Sequence, residues 1–233
     1  MSCFTLFWYC LVASCVFDLT IGVATIEHEN KHTLHKGNVL LAGKSVGNKL
    51  VKFPYYISGY DYEDRPVLVM EWGKWDIRTL AEKGGEELEN FETSVDQFVE
   101  LIRTGFFAKK VNESESQEID VVGIVALLDF DGLSLRQIGT TKSLQLLVRN
   151  FAKLERCHGQ FAYGFIVNSN PLAHQVIQLA KPFMAKFLER IEVFGSNSRK
   201  FIPELLKKIP RSQVHDAYGG TKGFRPVAVY SLI

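Results

Sequence analysis

The sequence predicts an α/β fold built on a predominantly parallel sheet with helices around it. Strand-like and helix-like patterns alternate along the chain, and strands separated by helices run parallel. The run Val121 to Phe130 (VVGIVALLDF) is continuously apolar and rich in β-branched residues, as a central strand covered on both faces must be. In contrast, Glu86 to Lys110 repeats its apolar residues at spacings of three and four, the pattern of a helix with one buried face.

Taken in order, Val67 to Trp72 (VLVMEW) follows Arg65-Pro66 and reads as a short buried strand. The helix that follows places Leu88, Phe91, Val95, Phe98, Val99, Ile102 and Phe106 on its stripe, with Glu87, Glu89, Glu92, Asp96 and Glu100 on a solvated outer face. After the central strand, Ser134 to Arg156 is helical in pattern. Tyr163 to Val167 is a third strand. Pro171 to Leu188 is a helix interrupted by Pro182, Ile191 to Phe194 a fourth strand, and Ile202 to Ile209 a short helix. No internal repeat or long linker is visible.

Composition narrows the function. Hydrophobic residues make up 46% of the 233 residues and charged residues 23%, which excludes a disordered tail or a collagen-like fibre. A net charge of +1 argues against a nucleic-acid partner, which calls for a basic excess. The start of the chain differs from the rest. Phe4 to Phe17 is almost wholly apolar, and Gly22-Val23-Ala24 resembles a signal-peptidase site, although no basic residue leads the run. A cleaved signal at residues 1–24, and hence a secreted or secretory-pathway protein, is the first expectation. A buried segment of a cytoplasmic domain is the alternative. Cleavage would leave Cys157 as the one cysteine, so the fold would rest on its core and not on disulfides. Asn112-Glu113-Ser114 is the only glycosylation sequon. The expected layout is the leader, an N-terminal segment at 25–50, a domain at 51–222 and a tail at 223–233.

Four arrangements imitate chemistry. Gly37 to Ser45 (GNVLLAGKS) ends like a phosphate loop, and Val125 to Asp129 like a magnesium-binding strand. The required first glycine falls on Asn38, and bulky Val39-Leu40-Leu41 fill the turn that must wrap phosphate. His28, His32 and His35 share a helical face but lack a closing ligand set. Cys157 and His158 are adjacent, whereas a nucleophile and its base must converge. Asp129 and Asp131 follow the central strand, where α/β folds place ligands, but also suit loop and cap chemistry. No catalytic residue, metal or cofactor is assigned.

One feature exceeds what a simple core needs. Pro171 to Leu188 carries apolar residues over well over half of its circumference, so it is either fully buried or covers something apolar that is not protein. Pro182 breaks it in two, as a hinged lid requires. Gly123, Ala126 and Gly164 leave room on the sheet for a cavity.

Four segments in order then carry a resemblance. They are Gly59-Tyr60-Asp61 with Arg65-Pro66-Val67; Asp129 to Ser134 (DFDGLS); Ile166-Val167-Asn168 with Pro171 and Lys181-Pro182-Phe183-Met184; and Phe194-Gly195-Ser196-Asn197 with Leu205-Leu206 and Tyr218-Gly219-Gly220-Thr221. From about Val51 to Thr221 the chain resembles the CRAL-TRIO lipid-binding domains, the family of tocopherol, retinaldehyde and phosphatidylinositol carriers. The resemblance implies a sheet flooring an apolar pocket, a mobile lid helix at Pro171 to Leu188, and one bound hydrophobic lipid (a sterol, tocopherol, retinoid or phospholipid) carried between membranes or proteins. On this reading Leu127, Phe165 and Val167 contact lipid from the sheet, and Leu172, Val176, Leu179, Phe183 and Phe187 from the lid. Arg190, Lys207 and Lys208 would meet a headgroup or a transient membrane surface. A lipid-free interaction or scaffold module of the same fold is the alternative.

The chain departs from the family pattern before the third strand, where Cys157-His158-Gly159 puts Gly159 at the acidic position of the phosphatidylinositol binders. Arg190 keeps the basic partner position. A neutral ligand therefore gains over an inositol lipid. Arg199, Lys200, Lys207, Lys208 and Arg211 face a single acid, Glu204, over thirteen residues. This stretch is either a membrane-docking patch or an ordinary solvated face.

Overall fold

The computed structural model describes residues 39–40, 52–109 and 123–233. The expected leader, the three N-terminal histidines, most of the Gly37 to Ser45 loop and the Asn112 sequon lie outside the described residues. The strands are β1 (Val39–Leu40), β2 (Pro54–Tyr60), β3 (Pro66–Met70), β4 (Ile124–Asp129), β5 (Phe161–Val167), β6 (Ile191–Val193) and β7 (Ala228–Ser231). They form one sheet in the order β1-β7-β2-β3-β4-β5-β6. β3 to β6 pair in parallel, β2 runs against β3, β7 against β2, and β1 against β7. β7 thus regains the direction of β3 to β6, and five of the seven strands point one way. The fold is α/β with a predominantly parallel sheet, as the alternating pattern predicts.

The helices are α1 (Ile77–Lys83), α2 (Gly85–Arg103), α3 (Leu135–Ile138), α4 (Thr141–Glu155), α5 (Pro171–Ala180), α6 (Ala185–Leu188) and α7 (Ser198–Lys208). Local chemistry moves several boundaries from those the periodicity predicts. α2 stops at Arg103, short of Lys110, because the Thr104 hydroxyl folds back onto the Glu100 carbonyl and Gly105 takes φ 69°. The helix expected over Ser134 to Arg156 is two helices. Thr140 is extended between them, and its hydroxyl accepts from Ser143 N and starts α4 afresh. β3 ends at Met70, and Trp72 begins a single 3-10 turn. A side chain at Gly73 would collide with the backbone of Phe130 and Asp131, so this turn and the end of β4 interlock.

Every residue of β3 and β4 is buried, so the sheet is covered on both faces. Because side chains alternate along a strand, the two faces hold different sets. Leu68, Met70, Ala126, Leu128 and Ile166 pack toward α1 to α6. Val67, Val125, Leu127, Phe165 and Val167 pack with Phe201 and Leu205 of α7 and with Val214 and Tyr218 beyond it. The C-terminal residues, expected as a tail, supply β7.

The acidic side of α2 is more than a solvated face. Glu92 pairs with Arg149 of α4 at 2.9 Å, and Asp96 with Lys153 and Arg156 at 2.9 and 3.0 Å. Exposed pairs contribute only about 0.2–1 kcal/mol each. Their consequence here is register: they fix the two long helices side by side over the sheet.

Candidate functional site

Between the sheet and these helices lies an apolar cavity of about 70 Å³. Met70 and Phe130 floor it at the carboxyl ends of β3 and β4. Phe98 of α2 and Phe151 of α4 wall it, and Val176 of α5 closes it from above. Among the described residues no charged side chain lines it. Ligand pockets usually measure about 300–1,000 Å³, and an engineered cavity of about 150 Å³ holds benzene. A lipid therefore enters this space only if a wall moves outward.

Three lining residues are not fully apolar. Trp72 and Trp75 sit on the turn after β3, with ring centroids 6.3 Å apart. Asn150 projects from α4, and its Nδ2 donates to the Leu146 carbonyl at 2.9 Å. Trp72 Nε1, Trp75 Nε1 and Asn150 Oδ1 are buried without a hydrogen-bond partner among the described residues. Only one other side-chain atom there shares that condition, Ser169 Oγ, and Ser169 does not line the cavity. Leaving such an atom unpaired costs about 1–3 kcal/mol, so three in one cavity call for an explanation.

The roof is α5, followed by the turn at Lys181 to Met184 and by α6. Asn170 starts α5 by accepting from Ala173 N, with Pro171 in the first turn where its missing N–H costs nothing. Leu179 packs on Leu144 and Val148 of α4, with Phe183 beside them. α6 is held by a separate contact. The Glu155 carboxylate, at the end of α4, accepts from Lys186 N and Phe187 N at 3.1 Å each.

The residues expected to contact lipid are dispersed. Val176 lines the cavity. Leu172 and Phe183 are partly buried at the edge of the core, Leu179 packs on α4, and Phe187 is buried edge-to-face on Phe161 at 4.8 Å. Leu127, Phe165 and Val167 lie on the opposite face of the sheet, against α7. A strand's period of two decides this, and one residue's shift in register reverses it. Gly123, Ala126 and Gly164 open no space either. A Cβ on Gly164 would stand 2.5 Å from Ile191 Cδ1 and 2.7 Å from the Ala126 carbonyl, so that glycine serves close packing.

The basic residues are already engaged. Arg190 donates to the Phe161 carbonyl at 2.8 Å. Lys207 pairs with Glu204 at 2.7 Å. Lys208 pairs with Glu192 at 2.9 Å and lies 4.6 Å over the Tyr163 ring. α7 covers the sheet face away from the cavity, so Lys207 and Lys208 do not border its mouth.

The motif residues build scaffold. Asp129 Oδ1 accepts from Asp131 N and Asn168 Nδ2, and its Oδ2 from the Tyr218 hydroxyl at 2.8 Å. Asp61 accepts from Glu63 N, Arg65 N and the Tyr163 hydroxyl. Four distant segments are tied together by these two carboxylates. The Cys157 thiol is fully buried and donates to the Leu154 carbonyl, and burial pushes its pKa up to about 12, which removes it as a nucleophile near neutral pH. Among the described residues no three His, Cys, Asp or Glu side chains gather as a metal site.

Trp72, Trp75 and Asn150 were absent from the sequence-based site. A signal existed for each: two indoles three apart directly after a buried strand, and an asparagine on the apolar stripe of a helix between Leu146, Phe151 and Leu154.

A search of curated proteins finds no match. The solved structure of Sfh5 aligns at 17% identity and a TM-score of 0.42, over 74% of this chain and 59% of that one. The chain thus spans less than two thirds of that protein's length. The family model described as the CRAL/TRIO domain matches residues 50–220. That match covers most of the chain, including β2 to β6 and the roof helices α5 and α6, and the chain belongs to the CRAL/TRIO domain family.

Proposed function

We propose that this chain binds one hydrophobic lipid in the cavity under α5 and transfers or presents it between membranes or proteins. The family is generally one of lipid-binding carriers and not of enzymes. The observation that carries the reading is a cavity between sheet and helices whose lining, among the described residues, has no charged side chain and keeps three buried polar atoms unpartnered. Burying a chain there releases about 0.8 kcal/mol per CH₂, so affinity needs no bond chemistry.

The work of binding falls on the roof. α5 and α6 are joined by a turn; Leu179 packs on α4, the Glu155 carboxylate accepts from α6, and Phe187 packs on Phe161. Releasing these contacts lets the roof rise and enlarges the space beneath Val176. Native mass spectrometry of the purified protein, followed by lipid extraction, tests the reading. About one apolar molecule per chain is expected. Lipid-free, monodisperse protein that also binds no fluorescent sterol, tocopherol, retinoid or phospholipid overturns it and favours the lipid-free scaffold reading. The small volume of the closed cavity is the observation on that side.

Two further proposals concern location. Arg199, Lys200 and Arg211 have no carboxylate partner among the described residues, which supports transient contact with an anionic membrane through the α7 face. Transfer between liposomes should then rise with anionic lipid and fall with salt, and indifference to both leaves that face as solvated surface. The apolar start with Gly22-Val23-Ala24 supports entry into the secretory pathway. Protein from expressing tissue should begin near Thr25, and an intact Met1 on cytosolic protein refutes this.

A further inference from the structure

From the three unpartnered atoms we infer that the ligand is a neutral apolar molecule with one hydroxyl group, held by Trp72 or Trp75 and Asn150. The inference rests on the lipid-binding reading above and names the class of lipid.

The unpartnered buried polar atoms of the lining are two donors and one acceptor. An indole N–H can only donate. Asn150 spends one of its two amide hydrogens on the Leu146 carbonyl, and its Oδ1 can only accept. The three residues line one cavity, and ring contacts connect them: Trp72 lies 6.3 Å from Trp75 and 6.0 Å from Phe151, the neighbour of Asn150 on α4.

A hydroxyl is the small neutral group that answers both kinds of demand. Its oxygen accepts from an indole N–H while its proton goes to Asn150 Oδ1. A ketone, ester or ether accepts from tryptophan but leaves Oδ1 unpaired. A carboxylate or phosphate brings a charge into a cavity with no cation among the described residues of its lining. Next to the cavity is a more polar depression that shares Trp75, but its lysines are taken as well. Glu87 holds Lys52 and Lys83, and Glu71 holds Lys74. A phosphate headgroup therefore meets no free cation there among the described residues.

The same atoms explain a preference that an apolar cavity alone cannot provide. A site built to hydrogen-bond a hydroxyl rejects the analogue without it, because its own buried groups are then stranded.

The test uses the full chain stripped of bound lipid, with hexadecanol and cholesterol each titrated against its own methyl ether, and with phosphatidylcholine. Binding is read by isothermal calorimetry and by quenching of indole fluorescence, since two of the three tryptophans line the cavity. At least one alcohol should bind about tenfold tighter than its methyl ether, the equivalent of about 1.4 kcal/mol. Asn150→Leu should remove the tenfold difference between alcohol and ether. Ethers that bind as tightly as the alcohols, or phosphatidylcholine binding alone, overturn the hydroxyl assignment while leaving the lipid-binding reading intact. Failure of every probe, together with lipid-free protein on purification, overturns that reading too. A wild-type comparison of alcohol with ether decides the matter even if the Asn150 variant does not fold.

Discussion

Replacing Glu155 by alanine separates the roof's grip from the core's. The Glu155 carboxylate accepts from Lys186 N and Phe187 N, first-turn donors of α6 with no partner within their own helix. The other hold on α6 is Phe187, 1% exposed and packed on Phe161, and the substitution leaves it in place. Truncating a side chain that caps a helix costs about 0.5–2 kcal/mol, typically about 1. If α6 must leave α4 for the lipid to depart, that whole amount comes off the barrier to release. Departure then speeds up about fivefold, within bounds of about 2- to 30-fold. The assay is stopped-flow release of a preloaded fluorescent lipid into excess acceptor vesicles, alongside urea unfolding of the same variant. Glu155→Gln keeps one acceptor and should fall between. A wild-type release rate in a variant whose urea midpoint has dropped would refute the argument, since α6 would then be fixed core and the exit would lie elsewhere.

Other perturbations test the scaffold. Tyr218→Phe removes a hydroxyl that donates to the buried Asp129 carboxylate at 2.8 Å, and should cost about 1.5–3 kcal/mol in urea unfolding with no change in lipid content. Gly164→Ala forces a methyl against Ile191 and the Ala126 carbonyl and should destabilise by about 1–3 kcal/mol. Cys157, with its pKa pushed up to about 12, should escape iodoacetamide at pH 8 in native protein and react in urea, as read by peptide mass mapping. Glu87, held by Lys52 and Lys83, should titrate near pH 2 by NMR instead of near its ordinary 4.5. Its folded pKa lies below the unfolded one, so the stability it contributes is present above about pH 4.5 and is lost as pH falls toward 2.

Much of the fold was legible because its signals are local. Val121 to Phe130 is apolar but for Asp129 and rich in β-branched residues, so it reads as a strand covered on both sides. α2 carries its stripe over five turns, and no tertiary contact had to be known to recognise it. What escaped were elements whose pattern is weak on its own. β7 owes its existence to pairing with β2, and α1 is a short helix capped by Asp76. The boundaries that moved did so for single side chains, Thr104 at the end of α2 and Thr140 at the start of α4.

The site divides the same way. The sequence by itself determined that a broad apolar helix with a central break follows β5, that the chain carries four segments resembling one lipid-binding family, and that charge is nearly balanced. These are properties of composition, spacing and order, which survive without coordinates. Only the tertiary structure decided which face of the sheet meets the cavity. Leu127 and Leu128 are equally apolar neighbours, yet one packs on α7 and the other toward α1 to α6. Only it could pair off the basic residues, since Lys208 meets Glu192 across sixteen positions of sequence. Finding the unpartnered atoms also required coordinates. Trp72, Trp75 and Asn150 are ordinary residues in a list, and they become a site because folding removes water from their polar atoms without supplying a partner among the described residues.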